Sequence, residues 1–430
     1  MKRHYISGKF AVLFLLGLTF VFSCDTANNV EDPDLDYFVK FYGGDGDQFA
    51  TDMLVLNDGS FLLLGSSSVN DLQSSIYVVR VNAEGDVMWE KTFEGGFSVA
   101  KDVEPTVDGN FIILADHMAS GVNHFDVQLM KISPTGDLLA STTKGTPAHE
   151  HSHTVTSLVL GDFIVSGTSE FTSTWVNPND PNPDLGDVFN YRFSPGLDEL
   201  PSNGWSPSIH GWGSNLDVAV KTMEISNKLF YVFGYTNSSF EGHNPEERLG
   251  LFYFSRDSTG GTINASFATS STDNTQINLV ERVPSELGGG FVAIGSSTDE
   301  FGFSTPVLAR LRESLTFDPK GNDVPLFREI PFGRNISGIR GAPSLIGEYG
   351  FLILGNERRS IGTNFWLSKI DQSGTVIWSA SFGSEGEDDS AASLVQLPDG
   401  KIVILGTIGM PDSQYKMALI KINPRGQLLK

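Results

Sequence analysis

One arrangement of polar and apolar residues recurs along this 430-residue chain. A polar turn, often Asp-Gly, is followed by an unbroken apolar run and then by a small residue. It stands at "DGSFLLLG" (58–65), "DGNFIILA" (108–115), "LGDFIVSG" (160–167), "NKLFYVFG" (227–234), "GGGFVAIG" (288–295), "EYGFLILG" (348–355) and "DGKIVILG" (399–406). The closing residues, Gly65, Ala115, Gly167, Gly234, Gly295, Gly355 and Gly406, are 50, 52, 67, 61, 60 and 51 positions apart. A turn pair ahead of an uninterrupted apolar run predicts a tight hairpin leading into a strand covered on both faces. The chain shows no helical period, which excludes a helical solenoid.

Ahead of each anchor a further strand is expected, for example "TDMLVL" (51–56) and "SLVQL" (393–397). Behind it comes a third, such as "IYVVRVN" or "MALIKIN", and in most repeats a glycine-containing turn leads to a fourth, such as "DVMWEKTF" or "TVIWSASF". Antiparallel strands in fours, the second buried on both sides, make a propeller blade, so the expected fold is all-β, a seven-bladed β-propeller. The last repeat is short, because only a turn and four residues follow "MALIKIN". The stretch "DYFVKFYGG" (36–44) precedes the first repeat and carries the aromatic-x-x-x-Phe rhythm of "WEKTFEGG" and "WSASFG". It is expected to supply the missing outer strand, with Tyr37 and Phe41 in the places of Trp89 and Phe93. Residues 36–430 would then close into a single ring without an exposed edge.

In the first repeat Gly43, Gly44, Asp47, Ala50, Asp58, Gly59, Phe61, Gly65, Gly85 and Trp89 follow a pattern, as do Phe382, Gly383, Asp388, Ala391, Asp399, Gly400, Gly406, Lys421, Ile422 and Asn423 around the seventh. This resembles a family of bacterial and archaeal surface propeller repeats, F-G-G-x-x-x-D-x-A, D-G-G-[FY]-[IV]-[IV]-x-G, K-[IL]-[DN] and G-x-x-x-W. The Gly-x-x-x-Trp element, Gly85 with Trp89 and Gly374 with Trp378, is also similar to quinoprotein-type propellers and to the propeller lipoprotein of outer-membrane protein assembly. The resemblance covers nearly the whole chain after residue 35 and implies a fold more than an activity. Repeats three to five depart furthest from the pattern and carry longer insertions.

The first residues read as an export signal. Lys2, Arg3, His4 and Lys9 precede the 13-residue apolar run Phe10 to Phe22, too short to span a bilayer permanently. "VFSC" resembles a bacterial lipobox, which implies cleavage of residues 1–23 and lipidation of Cys24. Cys24 is the only cysteine, so an intramolecular disulfide is excluded. Residues 24–35 are acidic and polar and read as a flexible tether. Acidic residues just after the lipid cysteine resemble a surface-export signal of some Gram-negative lineages, and Asp25, Glu31, Asp32 and Asp34 follow it. The expected location is the outer membrane, in its periplasmic or its surface leaflet. Loss of Lys2, Arg3 and Lys9 takes the formal charge from −23 to −26, which argues against nucleic acid and against adhesion to anionic headgroups.

Candidate chemistry is sparse. His149, His151 and His153 alternate in "HEHSH", and on an extended strand their imidazoles share one face, as a zinc or copper site requires. Aligning Leu158 with Leu54 instead puts His151 opposite Asp47, where it replaces a turn residue. Asp180, Asn182 and Asp184 alternate as in the first half of a calcium loop, although Leu185 stands where glycine is wanted and prolines stiffen the run. The other reading is a solvated turn cluster. The recurrent acids Asp47 and Asp388, like Trp89 and Trp378, are read as structural, since a fold device repeats and a site does not. Hydrolase, zincin and phosphate-loop signatures are missing, and "IDQSGTVIW" lacks the order of a sialidase Asp-box. Asp52, Asp102, Asp217, Lys221, Glu281 and Arg282 fall on expected inner strands, where a propeller glycosidase or lyase keeps its carboxylates. The leading expectation is a monomeric, noncatalytic, lipid-anchored scaffold for an envelope protein or a surface glycan. The alternative is a carbohydrate-active enzyme with its site in the channel.

Overall fold

The computed structural model describes residues 37–70, 73–170, 186–200, 208–210, 216–226, 228–236, 250–268, 274–285, 288–311, 328–330, 335–344, 347, 349–384, 386–411 and 413–428. Among these every regular element but a one-residue turn is a β-strand. The first four-stranded unit is β2 (Asp47–Val55), β3 (Phe61–Asn70), β4 (Gln73–Val81) and β5 (Val87–Phe93). The second is β6 (Phe97–Pro105), β7 (Phe111–Met118), β8 (Asp126–Ile132) and β9 (Leu138–Lys144), joined to the first by one parallel pairing, Ser74 with Phe97.

Separate four-stranded antiparallel sheets follow. They are β10 (Glu150–Ser157) to β13 (Ser208–His210) through β11 (Phe163–Ser169) and β12 (Asp187–Phe193), then β14 (Asp217–Ser226), β15 (Leu229–Thr236), β16 (Gly250–Asp257) and β17 (Thr262–Ala268). Next come β18 (Asn274–Arg282), β19 (Phe291–Thr298), β20 (Ser304–Leu311) and β21 (Arg328–Glu329), then β22 (Ile336–Ser344), β23 (Gly350–Arg358), β24 (Thr363–Asp371) and β25 (Val376–Phe382). The last sheet combines β26 (Ser390–Gln396), β27 (Ile402–Gly409) and β28 (Tyr415–Ile422) with β1 (Phe38–Tyr42) from the other end of the chain.

The anchors are the second strands, and Leu62, Leu63 and Leu64 on β3 have no exposed surface. Each such side chain contributes about 1.5–3 kcal/mol by burial. The apolar clusters lie between neighbouring units: Leu62 and Leu64 pack with Ile113 and Met130, and Leu352 and Phe365 with Ile404 and Ile420. Another cluster joins Phe61, Leu63 and Val79 of the first unit to Val403, Leu405 and Met417 of the last. A Cβ on the anchor Gly65 would run into the carbonyl of Phe49, so this position is kept bare where the first strand crosses it.

Polar ties repeat at these seams. The cation on the third strand bonds the aspartate of its own hairpin turn, as Arg80 does Asp58 (2.6 Å), Lys131 does Asp108 (2.8 Å) and Arg192 does Asp162 (2.7 Å). The same cation donates to a turn carbonyl of the next unit: Arg80 to Pro134 (2.9 Å), Lys131 to Pro195 (3.1 Å), and Lys421 of the last unit to Ala83 of the first (3.1 Å). The side chain after the anchor accepts the N–H of the next unit's first strand, Ala100 to Ser66 (2.9 Å), Ala391 to Asn356 (2.7 Å) and Ala50 to Thr407 (2.9 Å). Asp47 accepts from the Tyr415 N–H (2.9 Å) and Asp388 from the Thr363 hydroxyl (2.6 Å), each reaching the start of the preceding third strand. These acids are seam ties.

The opening strand sits one residue away from the expected register. Phe38 pairs with Lys421 as Trp89 pairs with Arg80 and Trp378 with Lys369. Phe38 and Tyr42, not Tyr37 and Phe41, therefore fill the places of Trp89 and Phe93. A slip of one residue exchanges the faces of a strand, and Tyr42 is accordingly 4% exposed while Phe41 is 48% exposed. The aromatic ring packs on a turn glycine of the next unit in each case. A Cβ on Gly85 would stand 2.9 Å from Phe38, and one on Gly136 would stand 2.9 Å from Trp89.

Candidate functional site

All seven first strands, β2, β6, β10, β14, β18, β22 and β26, contribute to one cavity of about 560 Å³. Each breaks register at the same level: between Ala50 and Asp52, Ala100 and Asp102, Ser152 and Thr154, Ala219 and Lys221, Ile277 and Leu279, Ser337 and Arg340, and Ala391 and Ser393. A β-bulge re-aims the side chains around it. Here it brings Thr51, Lys101, His153 and Asn278 to the cavity wall, with Asp52, Asp102, Lys221 and Arg340 beside them.

Asp52 and Asp102 meet in a hydrogen bond that needs one shared proton. Burial first, then the Asp102 charge, pushes Asp52 up to about 7. Each carboxylate is also fixed by the following unit, Asp52 accepting from the Val103 N–H (3.4 Å) and Asp102 from the Val155 N–H (2.8 Å). Lys221 Nζ lies 3.4 Å from Glu104 Oε1. Burial works against that ammonium, but Glu104, Asp102 and Glu281 outweigh it and hold its pKa above the ordinary lysine value. Burial raises Glu104 and Glu281, and Lys221 restrains both. Arg340 donates to the carbonyls of Ala392 (2.9 Å) and Ile339 (3.2 Å), and burial draws its pKa down against the opposing charge of Asp52. His153 keeps accessible surface inside the cavity, yet desolvation by the surrounding walls, then Lys101, lowers its pKa to about 4, so its imidazole is neutral at pH 7.

Four carboxyl groups, Asp52, Asp102, Glu104 and Glu281, thus share the cavity with Lys101, Lys221 and Arg340. A carboxyl that titrates near neutrality is suited to donate a proton.

Of the inner-strand charges expected from sequence, Asp52, Asp102, Lys221 and Glu281 converge here. Asp217 is buried and accepts from the Thr236 hydroxyl, and neither it nor Arg282 lines the cavity. Glu104, Arg340 and Lys101 were missed, and His153, expected in a histidine metal site, lines the cavity instead. Asp52, Asp102, Thr154, Lys221 and Ser393 each stand 13 residues before their anchor residue, but this spacing reaches none of the missed side chains: Lys101 stands 14 before its anchor, Glu104 11 and Arg340 15.

The histidines do not share a face. The bulge between Ser152 and Thr154 breaks the alternation, so His153 borders the cavity while His149 and His151 remain outside it, stacked at 5.7 Å with planes 4° apart. His149 Nδ1 accepts the Phe125 N–H (3.2 Å). His151 lies 3.7 Å from the carboxylates of both Asp116 and Glu170; its bond with Asp116, against some burial, holds its pKa above the ordinary value. Among the described residues no group of three or more His, Cys, Asp or Glu is placed to hold a metal ion. The expected alignment of His151 with Asp47 also fails. Leu158 and Leu56 open equivalent hairpin turns, so Leu158 corresponds to Leu56 and His149 stands level with Asp47. Cys24, Asp180, Asn182 and Asp184 lie outside the described residues.

No family model and no curated protein matches the chain. Solved structures do. An ulvan lyase described as a new family of polysaccharide lyase superposes with a TM-score of 0.54 at 9% identity, over 90% of this chain and 96% of that one. Drosophila semaphorin 2a gives 0.52 at 8%, over 90% and 75%, and the extracellular domains 1-2 of Drosophila semaphorin 1a give 0.50 at 11%, over 91% and 88%. The likeness is one of fold, a propeller-like all-β architecture.

Proposed function

We propose that the protein is a closed seven-bladed β-propeller, held at the outer membrane by a lipid on Cys24, that takes carbohydrate into its central cavity and acts on it there. The ring reading is supported by the seam between last and first units, which uses the same devices as the others: Lys421 to Ala83, Ala50 to Thr407, and Phe38 on Gly85.

One observation carries the carbohydrate reading. Bulges at one level of every first strand concentrate Asp52, Asp102, Glu104, Glu281, Lys221 and Arg340 around about 560 Å³, a volume suited to a small ligand or a few residues of a polymer. Sugars are recognised by such closely set donors and acceptors, and Asp52 supplies a proton near neutral pH. The fold likeness to a polysaccharide lyase agrees with this reading.

The test is incubation of the purified protein with neutral and uronic-acid-containing polysaccharides, following new reducing ends and unsaturated products. Product that disappears in Asp52→Asn and Lys221→Met supports an enzyme. Binding without product supports a glycan-binding scaffold, the second reading, which is favoured by the internal pairing of the cavity charges. Neither binding nor product would leave an envelope protein as the partner and sink the carbohydrate reading.

A further inference from the structure

Three large apolar side chains stand out on the hairpin turns of the second and third units. Val107 is 65% exposed, Val159 78% and Leu160 72%. They belong to the turns Thr106 to Asn110 and Leu158 to Asp162, and Val107 lies against Gly161, so the two turns are neighbours. Their acids are already neutralised, Asp108 by Lys131 and Asp162 by Arg192. Glu224 reaches the second of these turns, its carboxylate accepting the Val159 N–H (2.8 Å), so the apolar projection has one acid at its edge, on a strongly acidic chain.

The N-terminal strand begins at the same end of the molecule. Phe38 pairs near the start of the β27 hairpin through Lys421 and packs on Gly85 in the turn Asn82 to Asp86, while Lys40 bonds Asp86 (2.5 Å). The chain before β1 therefore leaves from the face that carries the hairpin turns. Residues 25–36 reach about 40 Å when extended. Among the described residues no helix is long and apolar enough to cross a membrane, so contact with a bilayer would be made by surface side chains.

We infer that Val107, Val159 and Leu160 rest in the interface of a zwitterionic phospholipid bilayer, as a second contact beside the lipid on Cys24. The hairpin-turn face then lies on the membrane, and the opposite face, with His149 and His151, points away from it. This rests on the lipid-anchor reading. A zwitterionic surface is favoured because the formal charge, −23 for the whole chain and −26 once Lys2, Arg3 and Lys9 are removed, is repelled by anionic headgroups.

A thioether at Cys24 leaves no free thiol in the chain, so a single introduced cysteine can be labelled alone. Lipidated protein carrying Val107→Cys, Leu160→Cys or Val69→Cys is labelled with an environment-sensitive dye and placed in phosphatidylcholine vesicles. Val69, 73% exposed, lies at the opposite end of its strand and serves as the control. The expected result is a brighter, blue-shifted emission at 107 and 160, quenched by spin-labelled lipid, with no change at 69. An equal response at all three positions, or none at 107 and 160, overturns the inference. A response at 107 and 160 that appears without vesicles and grows with protein concentration assigns the patch to a second copy and also overturns it. Flotation and intact mass are read in the same samples. A protein without lipid at Cys24 that does not float removes the anchor reading itself, an outcome distinct from an anchored protein whose patch stays in water.

Discussion

The seams between units and the cavity they surround use one backbone plan in opposite ways. At the seams both backbone and side chain repeat: Arg80, Lys131, Arg192 and Lys421 each join a hairpin aspartate or a turn carbonyl of the next unit. In the cavity the bulge repeats and the side chains do not, giving Thr51, Lys101, His153, Val220, Asn278 and Ala392 at equivalent places. Where the residues repeat, they answer a need that every unit shares. Where the geometry repeats and residues diverge, the chain has put different chemistry on a common frame.

The contrast can be broken most forcefully at the last seam. Removing Tyr37 to Gly44 deletes β1, exposes β28 and opens the cluster containing Tyr42, whereas removing Asp25 to Asp32 touches no described residue. The first truncation should lower the melting temperature by ten degrees or more, on the order of several kcal/mol at ~2–4 °C each, and the second should leave it unchanged. Equal melting curves would end the closure argument.

Lys221→Met should follow. It leaves Glu104 and Glu281 without their cation, and because Lys221 and Glu104 keep 31% and 28% of their side-chain surface exposed the loss should be about 1.5–3 kcal/mol, the value of a hydrogen bond to a charged group. Denaturant titration at pH 8 should show the loss, and at pH 5, where both acids hold protons more readily, it should shrink. Phe38→Ala should cost about 2–3 kcal/mol, less than a fully buried aromatic because the ring is only partly covered. Trp378→Ala, at the equivalent place over Gly426, should cost a similar amount. A marked inequality would show that the first and last units meet by some other means.

Asp52→Asn probes the cavity through pH. The folded protein keeps a proton on Asp52 that the unfolded chain releases near 3.8, so stability falls as pH rises from there to about 7. The variant should flatten this decline and be the more stable protein at pH 8, while any activity at the cavity is lost. The smallest effect belongs to His151→Gln. A raised histidine pKa stabilises below the unfolded value of 6.5 and ceases to do so as pH passes the folded one. With a side chain 40% exposed, screening should hold the loss at pH 5.5 under about 0.5 kcal/mol, and nothing should be lost at pH 8.5.

Most of the frame was legible from the anchor segments, because an apolar run after a turn states both a strand and its burial on two faces. Strand pairing of "DYFVKFYGG" with "MALIKIN" followed from counting strands, but its register did not. Tyr37, Phe38, Phe41 and Tyr42 offer two interleaved aromatic pairs, and only contact with Gly85 and Lys421 selects Phe38 and Tyr42. The histidine triplet misled for a related reason. Alternation implies a shared face only on a regular strand, and the bulge at His153 cancels it.

The sequence by itself determined the repeat, the two-faced burial of each second strand and the turn chemistry, since these depend on neighbours within a few residues. It also determined that stability must come without a disulfide, from its one cysteine. Which charges would meet was decided only by the tertiary structure. Asp52, Asp102, Lys221 and Arg340 are far apart along the chain and come together because the bulged first strands of successive units line one space. Desolvation at this meeting point raises the Asp52 pKa and lowers that of Arg340, while at Lys221 it is outweighed by the gathered carboxylates, which raise that pKa, effects that no local stretch of residues encodes.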